Sequence, residues 1–339
     1  MNVLSLFDGI ACGRVALERA NIPVERYIAS EIEKTSIQVA TTNYPDIEEI
    51  GDVRNVDVNT LPHIDLLIGG SPCTNLSFSG KREGLSAKKG KEKEKVVTLE
   101  QYFQLKEEGF EFEGYSYLFW EYVRILKELQ EKNPNIYFLL ENVVMAKEWE
   151  DVFTSVLGVE PIKINSSLVS AQNRVRLYWT NIPFVEMPED KDIKLQNILE
   201  DIEFVNSGAI RGRYIEMNKA TIIGRRIDEN GHRKDMNKAI PIVQCLEVRS
   251  TNRDKSNCLT TAVKDNVLTP LPIGRHIDAY GMISGEKLPF RYYTRREYER
   301  LQTLPDGYTD SISESAAKKA IGNGWTVDVI AHLLKGLRK

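Results

Sequence analysis

Residues 64–73 read Ile64-Asp65-Leu66-Leu67-Ile68-Gly69-Gly70-Ser71-Pro72-Cys73. A short apolar run closed by two glycines is the pattern of a strand buried on both faces, as in a parallel sheet. The chain leaves that strand through a Pro-Cys pair, which delivers a thiol onto a loop at the strand's carboxyl end. In open parallel sheets ligands bind at that edge. One decapeptide therefore suggests both a sheet type and a place for chemistry.

Working outward, the same alternation recurs. Val3–Phe7 reads as a strand, followed by a glycine turn (Gly9, Gly13) and a helix to about Ala20. Val24–Ser30 reads as a second strand ending at Glu31, and Gly51-Asp52-Val53 marks the end of a third near Asp52. Downstream, Leu118, Tyr122, Ile125, Leu126 and Leu129 recur at helical spacing, and Ile136–Leu140 is another buried strand ending at Glu141. Strands alternating with helices imply an α/β fold with a mostly parallel sheet covered on both faces. Between these elements, Lys81 to Gly114 carries Lys88, Lys89, Lys91, Lys93 and Lys95 among several glycines. A long mobile loop is expected there, with a short helix around Leu99–Lys106. After Pro183 the periodicity weakens. Pro188, an acidic run (Glu189, Asp190, Asp192) and a basic segment with Gly208, Gly212, Gly224 and Gly231 suggest a smaller irregular module. Patterning returns near Phe290, and Val327–Leu337 reads as a closing amphipathic helix. The expected division is 1–183, 184–288 and 289–339.

Composition narrows the class. The 339 residues are 42% hydrophobic, enough for a sizeable core. The start, MNVLSLFDGIACG, lacks the pattern of a signal peptide, and no run approaches the roughly 18 apolar residues of a membrane span. Cys12, Cys73, Cys245 and Cys258 form no CxxC pair, so free thiols in a reducing cytoplasm are expected, with Cys245 and Cys258 as packing residues. The four histidines show no metal-ligand spacing. The net charge of −4 conceals an asymmetry. Residues 206–276 hold thirteen Lys or Arg against seven Asp or Glu, a balance of +6 that leaves about −10 elsewhere. This suits a catalytic body with one basic face for a polyanion; a plain solvated basic surface is the alternative.

At the sheet's carboxyl edge, Phe7-Asp8-Gly9-Ile10-Ala11-Cys12-Gly13 forms a turn that lets a ligand approach the backbone. Glu31, 22 residues after Gly9, stands where a carboxylate meets ribose hydroxyls, and Asp52 where one meets an adenine amino group. The turn is not the GxGxxG that cradles a pyrophosphate. A cationic, phosphate-free ligand such as S-adenosylmethionine makes better electrostatic sense beside these carboxylates.

Three further blocks carry the chemistry. They are Ser71-Pro72-Cys73-Thr74-Asn75, Glu141-Asn142-Val143 at another strand end, and Gln172-Asn173-Arg174-Val175-Arg176 before Leu177-Tyr178-Trp179-Thr180. Alternation on a strand would point Arg174 and Arg176 to one face. A thiolate, a carboxylic acid and paired guanidinium groups fit one difficult reaction. Cytosine C5 is too weak a nucleophile to accept a methyl group unaided, and addition of a thiolate to C6 makes the ring enamine-like. An acid at N3 and an arginine at O2 stabilise that adduct. A base inside a duplex must first be flipped out, at a cost of a few kcal/mol.

In order and over nearly the whole chain, these blocks resemble the C5-cytosine DNA methyltransferase family. SLFDGIACG is similar to its cofactor loop, SPC to its nucleophile block, ENV to its acid block and QNRVR to its arginine block. Tyr115-Ser116-Tyr117-Leu118-Phe119 resembles the segment beneath the cofactor. Arg300-Leu301-Gln302 with Pro305, then Ile321-Gly322-Asn323 and Val327, resemble the two C-terminal blocks. FDGIA and ENVVMA are most like the animal de novo branch, whereas the length suits a bacterial or phage enzyme.

The resemblance implies a Rossmann-like, S-adenosylmethionine-dependent methyltransferase sheet with a smaller irregular target-recognition domain. It implies a methyl-donor pocket of Phe7, Asp8, Gly9, Gly13, Glu31, Ile32, Asp52, Val53, Leu118 and Asn323. Cys73, Glu141, Arg174 and Arg176 would surround the cytosine, with Ser71, Pro72 and Asn142 beside it. Residues 289–339 would fold back onto the catalytic domain. Three departures are Ile32, where the family often has an aromatic, Thr74, where many bacterial members have Gln, and the long loop after Cys73.

The expected partner is double-stranded DNA, with a cognate restriction endonuclease or none, and no membrane. In residues 206–276, Arg211, Arg213, Arg225, Arg226, Arg249 and Arg253 are candidates for phosphate or guanine contacts, and Lys88–Lys95 for tracking the backbone. Trp325, beside Asn323, reads as core rather than pocket wall. Three rival functions are an RNA methyltransferase on the same chassis, a silent DNA-binding relative, and an NAD-type oxidoreductase. The second is opposed by the presence of Cys73 and Glu141, the third by the absent phosphate fingerprint.

Overall fold

The computed structural model describes residues 1–76, 84–183, 186–200, 217–248, 254–260, 266–277, 288 and 290–338. They form two compact units: Met1–Ser166 with Val175–Pro188 and Trp325–Lys339, and Ser167–Arg174 with Glu189–Gly324. The segment grouped with the first unit at its C-terminal end thus starts at Trp325, later than the boundary at 289 read from the sequence. Residues 290–324 carry helices that pack with the second unit's own elements.

The first unit is built on a seven-stranded sheet. Its strands are β1 (Asn2–Leu6), β2 (Arg26–Ser30), β3 (Glu48–Glu49), β4 (Leu66–Gly70), β8 (Tyr137–Val143), β9 (Ile162–Asn165) and β10 (Val175–Thr180). Strands β5 (Ser86–Lys89), β6 (Glu92–Lys95) and β7 (Glu111–Phe112) form a separate small sheet. The order across the large sheet is β3-β2-β1-β4-β8-β10-β9. All neighbours are parallel except β10, which runs antiparallel to both β8 and β9. The parallel α/β reading is met, with one reversed strand near an edge.

Helices α1 (Cys12–Arg19), α2 (Lys34–Asn43), α3 (Leu99–Glu107), α4 (Phe119–Lys132) and α5 (Lys147–Leu157) belong to this unit. In α4 the spacing seen in the sequence buries Tyr122, Ile125, Leu126 and Leu129. Together with Leu4, Leu6, Leu67, Phe138 and Leu140 from the strands they form one apolar core. Glycine ends α5: Gly158 takes φ 71°, a left-handed conformation that a side chain disfavours.

The stretch expected to be a mobile loop is, where described, folded. Leu85, Ala87, Val96, Leu99, Tyr102, Leu105 and Phe110 all enter the main core. The lysines masked this, because they end β5 as an exposed pair after the buried Ser86 and Ala87 and alternate with glutamates along β6. Helix α3 lies where expected, and the Thr98 hydroxyl caps it by accepting from Gln101 N.

The second unit holds α6 (Leu195–Ile198), α7 (Arg295–Leu301) and α8 (Glu314–Asn323), while α9 (Val327–Leu334) belongs to the first. Strands β11 (Asn218–Arg226), β12 (Ile242–Val248), β13 (Val267–Thr269), β14 (Gly274–Ile277) and β15 (Arg291–Tyr292) form an antiparallel sheet ordered β14-β12-β11-β13-β15. Its small core is Ala220, Ile222, Leu246, Val248 and Val267. Among the described residues, no helix is long and apolar enough to cross a membrane.

Candidate active site

The sheet topology converges three chemical blocks. Strands β4 and β8 are parallel neighbours whose register pairs Gly70 with Glu141, so the acid stands beside the last residue before the Ser71-Pro72-Cys73 loop. Strand β10 runs back from the same edge, with Arg176 paired to Val143. Cys73 is half-buried and opens a tight turn in which its carbonyl accepts from Leu76 N at 3.1 Å.

That loop is clamped to the neighbouring strand. Asn142 Nδ2 donates to the Ser71 carbonyl at 3.1 Å and to Ser71 Oγ at 3.0 Å, with both residues buried. The loop's other side is tied to the segment before α4. Asn75 N donates to Ser116 Oγ, Asn75 Nδ2 to the Glu113 carbonyl, and Tyr115 N to Thr74 Oγ1. Ser71 and Asn142, placed beside the substrate by sequence reasoning, are hydrogen-bonded to each other and hold the Cys73 loop.

Glu141 is 9% exposed. Its Oε1 lies 3.0 Å from Arg176 Nε, and its Oε2 accepts from Trp325 Nε1 at 3.1 Å. Arg174 stands apart. It precedes the first residue of β10, belongs to the second unit and is 4% exposed. Its guanidinium donates to the carbonyls of Leu259, Gly322 and Gly324. Strand β10 starts at Val175, so Arg174 lies just before it and Arg176 within it. Gln172 plays a similar bracing part, donating to the Leu301 carbonyl and Gln302 Oε1 and accepting from Leu259 N.

The turn after β1 is the second feature of this edge. Phe7, Gly9 and Ala11 all have positive φ, and nothing lies within 4 Å of where a Gly9 side chain would begin. Glu31 anchors the turn: its Oε2 accepts from Gly9 N at 2.8 Å, while Oε1 accepts from Ile32 N and Glu33 N. Ile32 itself is 66% exposed. Asp8 is buried, with Oδ1 accepting from Ser5 Oγ and Tyr27 OH and Oδ2 without a hydrogen-bond partner. Burial pushes its carboxyl up to about 6, against the lowering effect of those two hydrogen bonds.

Glu49, at the end of β3, has neither carboxylate oxygen hydrogen-bonded; burial, then the charges of Asp8 and Glu31, push it up to about 7. Nothing in the sequence marked Glu49, since β3 is only two residues long. Asp52 caps the following turn and is paired with Arg54 Nη2 at 2.5 Å, which holds its carboxyl below the usual range. Val53 is buried, Leu118 packs against the core, and Gly13 sits in α1. Asn323 is the last residue of α8 in the second unit and is exposed there.

These orphaned acidic oxygens are a test of the expected cofactor. A sulfonium and an ammonium group offer positive charge to buried, unsatisfied carboxylates, so the residues present fit S-adenosylmethionine. Among the described residues no group of His, Cys, Asp and Glu is arranged to hold a metal ion.

In the second unit, the described basic candidates are internally paired. Arg225 lies 3.2 Å from Glu247 and 3.6 Å from Asp235, and Arg226 donates to the Lys238 and Ile240 carbonyls. Arg211, Arg213, Arg249 and Arg253 lie outside the described residues. In the small sheet, Lys88 and Lys93 both pair with Glu113, and Lys95 pairs with Glu148.

A model of the C-5 cytosine-specific DNA methylases matches residues 1–99 and 167–339. The chain belongs to that family. Type II methyltransferase M1.ScrFI of Lactococcus lactis subsp. cremoris is 27% identical over 339 residues, covering 97% of this chain and 75% of that protein. The orphan methyltransferase M.SPRI of Bacillus phage SPR is 30% identical over 198 residues, covering 54% of this chain and 38% of that protein. In fold, the chain is similar to a mutant DNMT2 of Spodoptera frugiperda, with a TM-score of 0.60 at 18% identity over 100% of this chain and 99% of that one. A C5-cytosine DNA methylase transfers a methyl group to carbon 5 of cytosine in DNA, and the sheet, with its one reversed strand, is the Rossmann-like scaffold on which this chain does so.

Proposed function

We propose that Cys73 is the nucleophile of this methyltransferase, that Glu141 and Arg176 hold the cytosine ring, and that residues 206–276 choose the target sequence. The observation that carries the reading is the Glu141–Arg176 pair at 3.0 Å, on the strand edge where the Cys73 loop emerges. S-adenosylmethionine would be held by the Gly9 turn with Glu31, Asp8 and Asp52, and would supply the electrophilic methyl group, leaving as the neutral thioether.

The cytosine is flipped from the duplex before reaction. The Cys73 thiolate forms a bond to C6, and the ring's electron pair moves to C5. Glu141 hydrogen-bonds N3, where charge develops, and the Arg176 guanidinium offsets charge at O2. Once C5 carries the methyl group, its proton leaves to solvent and the Sγ–C6 bond breaks, returning the thiolate. Ser71 and Asn142 keep the loop in place throughout. Arg174 holds the C-terminal block rather than the base. Type II and orphan relatives support two arrangements for this chain, with a paired endonuclease or without one.

The test is Cys73→Ala on duplex DNA with labelled donor. Methyl transfer should vanish while DNA and donor binding persist, and wild-type protein should form a stable covalent complex with DNA carrying 5-fluorocytosine, since fluorine blocks the final elimination. Methylation by the variant at the wild-type rate would refute the nucleophile. Parallel assays on transfer RNA distinguish a DNA substrate from an RNA one.

A further inference from the structure

Trp325, read from the sequence as a core residue, touches the acid. It immediately precedes α9, and its neighbour Thr326 is fixed by a 2.9 Å hydrogen bond from Ser166 Oγ. Helix α9 packs on α1, the helix that begins at the cofactor turn. The indole is 9% exposed, and its Nε1–H donates to Glu141 Oε2 at 3.1 Å. Arg176 approaches the other carboxylate oxygen. Two donors on two different oxygens define the plane of the carboxyl group.

We propose that Trp325 is the positioning residue for Glu141, fixing the carboxyl that meets the flipped cytosine. This rests on the reading of Glu141 as the group at N3. The choice of an indole has a chemical reason. It is a neutral donor with no acceptor and no titratable proton. It needs one lone pair on Oε2, which a carboxyl oxygen retains whether or not the group is protonated. The second lone pair stays available to the base, so Trp325 orders the acid without competing for its proton.

Two glycines show that the contact is built in. A side chain at Gly70 would begin 2.7 Å from Trp325 Nε1 and 3.1 Å from Glu141 Oε2, so the hydrogen bond passes over bare backbone. At the ring's other end, a side chain at Gly13 would begin 3.5 Å from Trp325 Cζ3. The indole therefore spans from the first turn of α1 to the acid, linking the methyl-donor side of the sheet edge to the cytosine side.

Trp325→Phe keeps the ring and removes only the donor. In single-turnover methylation, the rate should fall roughly 10- to 100-fold, as for loss of a hydrogen bond to a charged group. KM for DNA and for the donor should stay within about twofold, because neither contact is lost. In a Glu141→Ala background the same substitution should change nothing further. A Trp325→Phe rate within twofold of wild type, or a loss that multiplies with that of Glu141→Ala, would overturn the proposal. Wild-type activity in Glu141→Ala alone would instead overturn the reading of the acid, and the proposal with it. If Trp325→Phe is unstable, the benzothienyl analogue of tryptophan at 325, with sulfur in place of N–H, makes the same comparison.

Discussion

Arg174 and Arg176 stand two residues apart, and the chain uses the same guanidinium chemistry for opposite ends. Arg174 satisfies three backbone carbonyls in a site almost closed to water. Its replacement by Ala strands those acceptors and should cost roughly 2–4 kcal/mol of stability. Arg176→Ala should leave the unfolding midpoint nearly unchanged and reduce the methylation rate at least tenfold. Calorimetry beside a rate assay checks both, and the reverse assignment would show as the opposite split. Asp8 and Glu49 give a pH signature of their own. Each holds its proton more tightly folded than unfolded, with folded values of about 6 and about 7. Stability from these groups is therefore full at pH below about 4 and is lost as pH rises through 6 and 7. The difference in thermal midpoint between wild type and Asp8→Asn/Glu49→Gln should shift against wild type over that window. Donor affinity should rise over the same window as the carboxylates ionise; a flat binding isotherm series from pH 5.5 to 7.5 would contradict it.

At the scale of elements, the placement of the Cys73 loop depends on the register that pairs Gly70 of β4 with Glu141 of β8 and on a side-chain clamp across the two strands. Asn142 ties the end of β8 to the loop after β4 through Ser71. Asn142→Ala should destabilise by about 1–3 kcal/mol and slow formation of the 5-fluorocytosine adduct more than it weakens DNA binding. Trapping kinetics measured beside DNA affinity would expose a clamp that does not matter, if both stayed at wild-type values. The small sheet β5–β7 is the element least legible beforehand. Its lysines suggested solvent and motion, but Ala87 and Phe112 pair across β5 and β7, and Phe112 packs against Tyr102 and Tyr117. A charge run can decorate one face of a folded sheet, and composition does not reveal the other face.

For the whole molecule, the division of labour follows the charge. The first unit carries the seven-stranded sheet with Cys73, Glu141 and Arg176, while the second holds the basic segment 206–276. Exchange of residues 206–276 for the matching segment of a relative should move the methylated sequence while Cys73 chemistry persists. Bisulfite sequencing of DNA from cells expressing the chimera reads this directly; an unchanged target would place recognition elsewhere.

The alternation of strands and helices, the mostly parallel sheet, and the candidacy of Cys73 and Glu141 were readable along the chain. They depend on local periodicity and on short blocks whose residues are neighbours in sequence. The fate of Arg174, the pairing of Asp52 with Arg54, the orphaned oxygens of Glu49 and the reach of Trp325 to Glu141 were not. Three of these four rest on contacts or burial that local sequence does not show, the indole and its acid being 184 residues apart. Such contacts are set by how elements pack and where a strand begins, which hydrophobic patterning leaves open.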